Sequence, residues 1–269
     1  MDSRPIGIFD SGLGGLTCVK EVMKVMPNED IIYFGDTGRV PYGTKSSEIL
    51  VKYVRQDINF LQSFDVKAII IACGTASSAA LPHICSKYKI PINGVLYPAS
   101  KAALKATKNG KIGVIGTPGT IASGKYRKQL LSFNKNLEIF ETACPMFVPL
   151  VENGYAEKEP TRIIAKEYLK DIKEANVDTL ILGCTHYPHL TKVIKEILGE
   201  EVCLIDSGAA AADFVKLELE QKGLLTSKNQ EGKARYYVSD SPKDFAKLGG
   251  LFLNRIIEET VELIDIEKY

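Results

Sequence analysis

The sequence predicts an α/β protein made of two similar doubly wound lobes with mainly parallel sheets and an active-site cleft between them. Three observations predict this. Short β-branched runs alternate with longer helical stretches almost from end to end. The runs are near-continuously apolar, as parallel strands covered on both faces must be. One strand–turn–helix block also recurs about one domain length further along the chain.

The strands are expected at Ile6–Phe9, Ile31–Phe34, Ala68–Ala72, Ile112–Ile115, Thr179–Leu182 and Val202–Ile205. Between them, helical stretches run over Leu16–Met26, Ser46–Leu61, Ala76–Tyr88, Tyr97–Thr107, Ile163–Glu174 and Leu190–Leu198. Such alternation implies right-handed crossovers. The repeat is Ala68-Ile-Ile-Ile-Ala-Cys73-Gly-Thr75 against Thr179-Leu-Ile-Leu-Gly-Cys184-Thr185, each running on to a Pro-His pair. Asp206-Ser207-Gly208 echoes Asp10-Ser11-Gly12 and marks a return of the chain to the first lobe. The lobes are therefore read as 1–96 plus 208–269 and as 97–207, the tail bringing Arg235–Ser239 and a final helix from about Leu251.

The composition is that of an ordinary globular enzyme. Of 269 residues, 45% are hydrophobic and 25% charged, and 34 Lys plus Arg against 33 Asp plus Glu leave a net charge of +1. That balance gives no reason to expect nucleic acid or an anionic membrane as partner. No apolar run is long enough for a membrane span, and the N-terminus lacks the pattern of a signal peptide, so the cytoplasm is the expected location. The six cysteines, Cys18, Cys73, Cys85, Cys144, Cys184 and Cys203, include no CxxC pair and no zinc-like Cys/His spacing. No metal and no cofactor motif is expected, and reduced cysteines in such a chain are mostly small core residues.

In doubly wound sheets, ligands gather at the carboxyl ends of the strands. Here those ends carry Asp10-Ser11-Gly12-Leu13-Gly14-Gly15, Asp36-Thr37 with Pro41-Tyr42-Gly43, Cys73-Gly74-Thr75, Gly116-Thr117, and Gly183-Cys184-Thr185-His186. A cysteine between strand and helix lies near unpaired backbone N–H groups, a setting that favours thiolate and suits proton transfer. A single such cysteine is ordinarily a buried structural residue; two matched ones in a duplicated chain are not so easily explained. Redox pairing would require disulfide distance, and nucleophilic hydrolysis uses one cysteine with a histidine base. Racemisation needs what two facing thiols offer: a base on one side of a flat carbanion and an acid on the other.

These blocks, in this order and over nearly the whole chain, resemble the glutamate racemases of the aspartate/glutamate racemase superfamily. The resemblance implies two α/β lobes, a pyridoxal-independent two-cysteine mechanism, glutamate as substrate, D-glutamate supply for peptidoglycan, and a homodimer. Cys73 and Cys184 match the two catalytic cysteines, while Asp10, Ser11, Tyr42, Gly43, Gly74, Thr75, Thr185 and His186 match the segments that hold substrate. At the position after the first cysteine the family usually carries Asn; Gly74 stands here, so a side-chain contact to the ligand is lost while a backbone N–H remains.

Other readings of the supporting residues stay open at this level. Asp10 is equally a turn or cap carboxylate and a helper beside Cys73 or the substrate ammonium. His186 is equally a solvated loop histidine and a relay to Cys184. Glu152 reads locally as an exposed turn residue, although the resemblance places it near Cys184. The glycine-rich turn lacks the lysine of a phosphate loop and fits a carboxylate at a helix start instead. Thr117 and Thr120 read as caps; His83, His189, Cys18, Cys85, Cys144 and Cys203 read as structural. The rival functions are a racemase for aspartate or another amino acid, a cysteine hydrolase or decarboxylase on the same scaffold, and a non-catalytic ligand-binding module.

Overall fold

A computed structural model describes residues 1–84 and 87–269. Ten strands are described: β1 (Ile6–Asp10), β2 (Ile31–Gly35), β3 (Ala68–Ile71), β4 (Ile92–Gly94), β5 (Lys111–Gly116), β6 (Glu138–Ala143), β7 (Thr179–Leu182), β8 (Cys203–Asp206), β9 (Ala234–Val238) and β10 (Val261–Leu263). They form a six-stranded sheet in the order β10-β9-β2-β1-β3-β4 and a four-stranded sheet in the order β6-β5-β7-β8. Every pairing is parallel, so all the strand ends that follow β1, β3, β5 and β7 open on one edge of their sheet.

Burial follows the pleat. In β1, β2 and β3, Ile6, Ile8, Ile31, Tyr33 and Ile70 pack into one core, while Phe9, Ile32, Phe34, Ile69 and Ile71 pack into another on the opposite face. The second sheet repeats the arrangement, with Ile112, Val114 and Ile181 on one face and Ile115, Leu180 and Leu182 on the other. Each such side chain removed from water stabilises the fold by about 1.5–3 kcal/mol. The first of these cores spans both lobes. In it the helix Leu16–Val25 packs Leu16, Val19 and Val22 with Ala211, Ala212 and Val215 of the helix Ser207–Gln221.

Several expectations are corrected. The stretch Ala76–Tyr88 is not one helix: Gly74–Ala79 and Leu81–Ile84 are separate, because Pro82 has no N–H to continue the ladder. Ile163–Glu174 is likewise divided, into Glu159–Tyr168 and Lys170–Glu174. The final helix does not start near Leu251. It runs over Pro242–Leu253 and stops at Asn254, which takes a left-handed conformation with φ 57°. Cys203 is not a core residue, since it is exposed on the edge strand β8. Cys18 and Cys144 are buried as expected, and Cys85 lies outside the described residues. Among the described residues no helix is long and apolar enough to cross a membrane.

Candidate active site

β1 and β3 are neighbours, so Asp10 ends one strand beside the turn that carries Cys73. β5 and β7 are neighbours in the other sheet and bring Thr117 beside Cys184 in the same way. The two edges face each other across a cavity of about 300 Å³. Its wall includes Ser11, Tyr42, Gly43, Cys73, Gly74, Thr75, Cys184, Thr185 and His186, every predicted site residue except Asp10. It also includes Val40, Pro41, Thr117, Val148, Pro149 and Glu152. Among the described residues the wall carries no Lys or Arg, so a bound carboxylate must be met by hydroxyls, backbone N–H groups and His186. No three His, Cys, Asp or Glu side chains among the described residues converge to hold a metal ion.

Cys73 caps the helix Gly74–Ala79, its sulfur accepting from the Ala76 N–H at 3.4 Å. The expected bias towards thiolate is overturned here. Burial and the charge of Asp10 push the Cys73 thiol up to about 12, and the Ala76 N–H offsets only part of this. Cys73 is thus a thiol at neutral pH. Asp10 stands behind it, out of the cavity wall, with Oδ2 accepting from the Gly12 and Gly15 N–H groups at 3.2 and 3.0 Å. Its Oδ1 is buried and, among the described residues, has no hydrogen-bond partner. Burial raises this carboxyl, while the His186 charge and the backbone N–H groups of Gly15, Gly12 and Ser11 act to lower it.

On the other wall, the Cys184 sulfur lies 3.8 Å from His186 Nδ1, and His186 Nε2 lies 2.9 Å from Glu152 Oε1. Glu152 is therefore no mere turn residue. It ends the helix Phe147–Glu152 and completes a carboxylate–imidazole–thiol chain. Burial alone would lower His186, but its bonds to Cys184 and Glu152 outweigh this and carry it up to about 10. The glycine turn reaches across to the same group: a side chain at Gly14 would sit 2.2 Å from Thr185 Oγ1 and 2.5 Å from the imidazole. Only a residue without Cβ lets the two lobes meet there.

The polar wall is completed by hydroxyls. Thr75 Oγ1 lies 2.9 Å from Thr117 Oγ1 and 3.3 Å from Thr120 Oγ1, which are 3.0 Å from each other. Thr117 does cap its helix, but it also faces the cavity, and pairing with Thr75 from the other lobe is what local sequence could not reveal. Tyr42 behaves differently from a ligand-binding phenol. Its hydroxyl donates to Asp36 and lies 3.1 Å from Asp57 Oδ2, inside a buried network completed by Arg39. Tyr42 thus anchors the loop that presents Gly43. Of the two histidines read as structural, His83 is exposed, and His189 packs edge-on against Phe252 at 4.7 Å.

The two imidazoles near the site give stability a predictable pH profile. His186 sits above its ordinary 6.5, so its contribution is complete below about pH 6.5 and lost as pH rises through about 10. Burial and the neighbouring His186 lower His189 to about 4, so its contribution is present above about pH 6.5 and lost as pH falls through about 4. In thermal melts of the free protein, His186→Asn should flatten the loss of stability between about pH 6.5 and 10. An alkaline limb identical to that of the parent chain would refute this assignment.

Comparison with known proteins extends beyond the motifs. The model of the Asp/Glu/hydantoin racemase family matches residues 18–215. A glutamate racemase of Geobacter metallireducens is 47% identical over 253 residues, covering 94% of each chain. The crystal structure of a glutamate racemase isoform from Bacillus anthracis superposes with a TM-score of 0.94 at 38% identity over 98% of each chain. That of the Francisella tularensis glutamate racemase in complex with D-glutamate does so at 0.93 and 39% over the full length of both. Likeness of that depth, carried by sequence and backbone alike from one end to the other, makes the chain a member of the Asp/Glu/hydantoin racemase family.

Proposed function

We propose that the chain interconverts L- and D-glutamate without a cofactor, with Cys73 and Cys184 as opposed proton-transfer groups. The observation that carries this reading is that two cysteines, each from the strand–helix turn of a different lobe, line one cavity. A substrate Cα held between them meets one sulfur on each face. The glutamate racemases among its relatives, one of them crystallised with D-glutamate, support the substrate. The family resemblance supports a cytoplasmic role supplying D-glutamate for peptidoglycan.

The proton balance follows from the two walls. For one enantiomer, a Cys184 thiolate removes the Cα proton and becomes a thiol, leaving a carbanion. The Cys73 thiol, protonated at neutral pH, delivers its proton to the opposite face and becomes the thiolate. That end state is the starting state for the other enantiomer, so each turnover prepares the reverse reaction. Asp10 can exchange a proton with Cys73, and His186, oriented by Glu152, can do so with Cys184. The hydroxyls of Ser11, Thr75, Thr117 and Thr185 serve the carboxylates, their protons rotating to suit the ligand.

L-Glutamate incubated with the protein in deuterated water should lose its optical rotation and gain one deuterium at Cα in the inverted product. L-Aspartate, run alongside, should turn over far more slowly. Unchanged rotation with glutamate would sink the proposal, and faster turnover of aspartate would reassign the substrate.

A further inference from the structure

Each cysteine is bonded to a glycine, Gly74 after Cys73 and Gly183 before Cys184, and these glycines meet across the seam between the lobes. A Cβ built on Gly74 would lie 2.2 Å from the Gly183 carbonyl oxygen and 3.3 Å from its carbonyl carbon. Gly183 has no room to retreat. Its N–H donates to the Ile115 carbonyl at 2.8 Å within the second sheet, and a Cβ on Gly183 would come within 2.7 Å of that same oxygen. Gly74 is held from its own side, its carbonyl accepting from Ser78 Oγ at 2.8 Å. The obstacle is main chain throughout, so no rotamer change relieves it.

We propose that Gly74 is a positioning residue that sets the gap between the two thiols. Because it has no side chain, the lobes close until the turns after β3 and β7 touch. Any side chain at this position holds them apart. The inference rests on the two-thiol reading above and deepens it. Since each cysteine is one peptide bond from the contact, the separation of the sulfurs follows the separation of the glycines. Opening the contact to ordinary van der Waals distance needs roughly an ångström, and a displacement of that size at reacting groups costs on the order of a hundredfold in rate.

The test compares the parent chain with Gly74→Ala and Gly74→Asn, on L-glutamate in deuterated water. In the parent, proton removal and delivery occur on opposite faces, so deuterium enters with inversion. With the seam parted, one thiol still takes the Cα proton, exchanges it with solvent and returns a deuteron to the same face. The variants should therefore racemise on the order of a hundredfold more slowly. Their ratio of deuterium in the retained enantiomer to deuterium in the inverted product should rise by a similar factor, a change that a general loss of structure would not produce. A variant with native melting and the parent's ratio overturns the proposal. Unfolding of both variants overturns it equally, because the seam is expected to open and the lobes to stay folded. If the parent chain itself leaves glutamate unchanged, the two-thiol reading is what fails, and this inference falls with it.

Discussion

Cys73→Ala and Cys184→Ala should each lower glutamate racemisation by at least about a thousandfold, within the range that a lost general acid or base costs. Neither change should unfold the protein. Both cysteines are buried but line the cavity, so losing a sulfur enlarges a space already present, and the hydrogen bond that the Cys73 sulfur accepts from Ala76 is worth on the order of 1 kcal/mol. The informative measurement is proton exchange. A protein left with one thiol can exchange the Cα proton on one face only, so each variant should wash deuterium into one enantiomer at most, and the two variants into opposite ones. Near-normal racemisation by either variant would show that the second thiol is not needed. Washout of the same enantiomer by both would mean that the sulfurs do not flank one carbon.

The largest effect on stability is expected at the other end of the sheet. Lys67, just before β3, is fully buried and pairs with Glu29, just before β2, at 2.5 Å. The ammonium also donates to the Asp2 carbonyl at 2.8 Å, and Glu29 Oε1 accepts from the Thr226 N–H at 2.8 Å. Lys67→Met leaves the Glu29 carboxylate buried without its counter-charge, a change that costs about 3–5 kcal/mol. The urea midpoint should fall accordingly, with the melting temperature dropping by roughly 10 °C. Lys67→Met combined with Glu29→Met should recover much of this, because no uncompensated charge then remains. KM for glutamate should hold in both, since the pair lies at the amino ends of strands whose carboxyl ends form the site. A single variant as stable as the parent chain would mean that the pair contributes nothing beyond packing.

What could be read in advance divides along physical lines. The central strands β1, β2, β3, β5 and β7 were legible because both of their faces are covered, which forces unbroken apolar runs such as Ala68–Ile71. The strands that were not foreseen, β4, β6 and β10, are all sheet edges. An edge strand is half exposed and tolerates Glu138, Glu141 and Thr142 in β6, so its pattern no longer marks it as a strand. The same exposure places Cys203, expected in the core, on the surface of β8. The site divides similarly. Cysteines, glycines and threonines sitting directly after buried strands announce themselves by position. Glu152, Val148 and Pro149 come from a helix with no motif of its own, and Val40 from a loop without catalytic chemistry, so nothing local distinguished them.

Chain order alone dictated the alternating α/β architecture and put one cysteine at a strand end in each half, because strand periodicity and turn chemistry are short-range properties. Three things arose only in the tertiary structure. They are the protonated state of Cys73, the Glu152–His186–Cys184 chain, and the glycine-to-glycine contact between Gly74 and Gly183. Each depends on desolvation or on distances between groups of different elements, and such quantities have no value until the chain is folded.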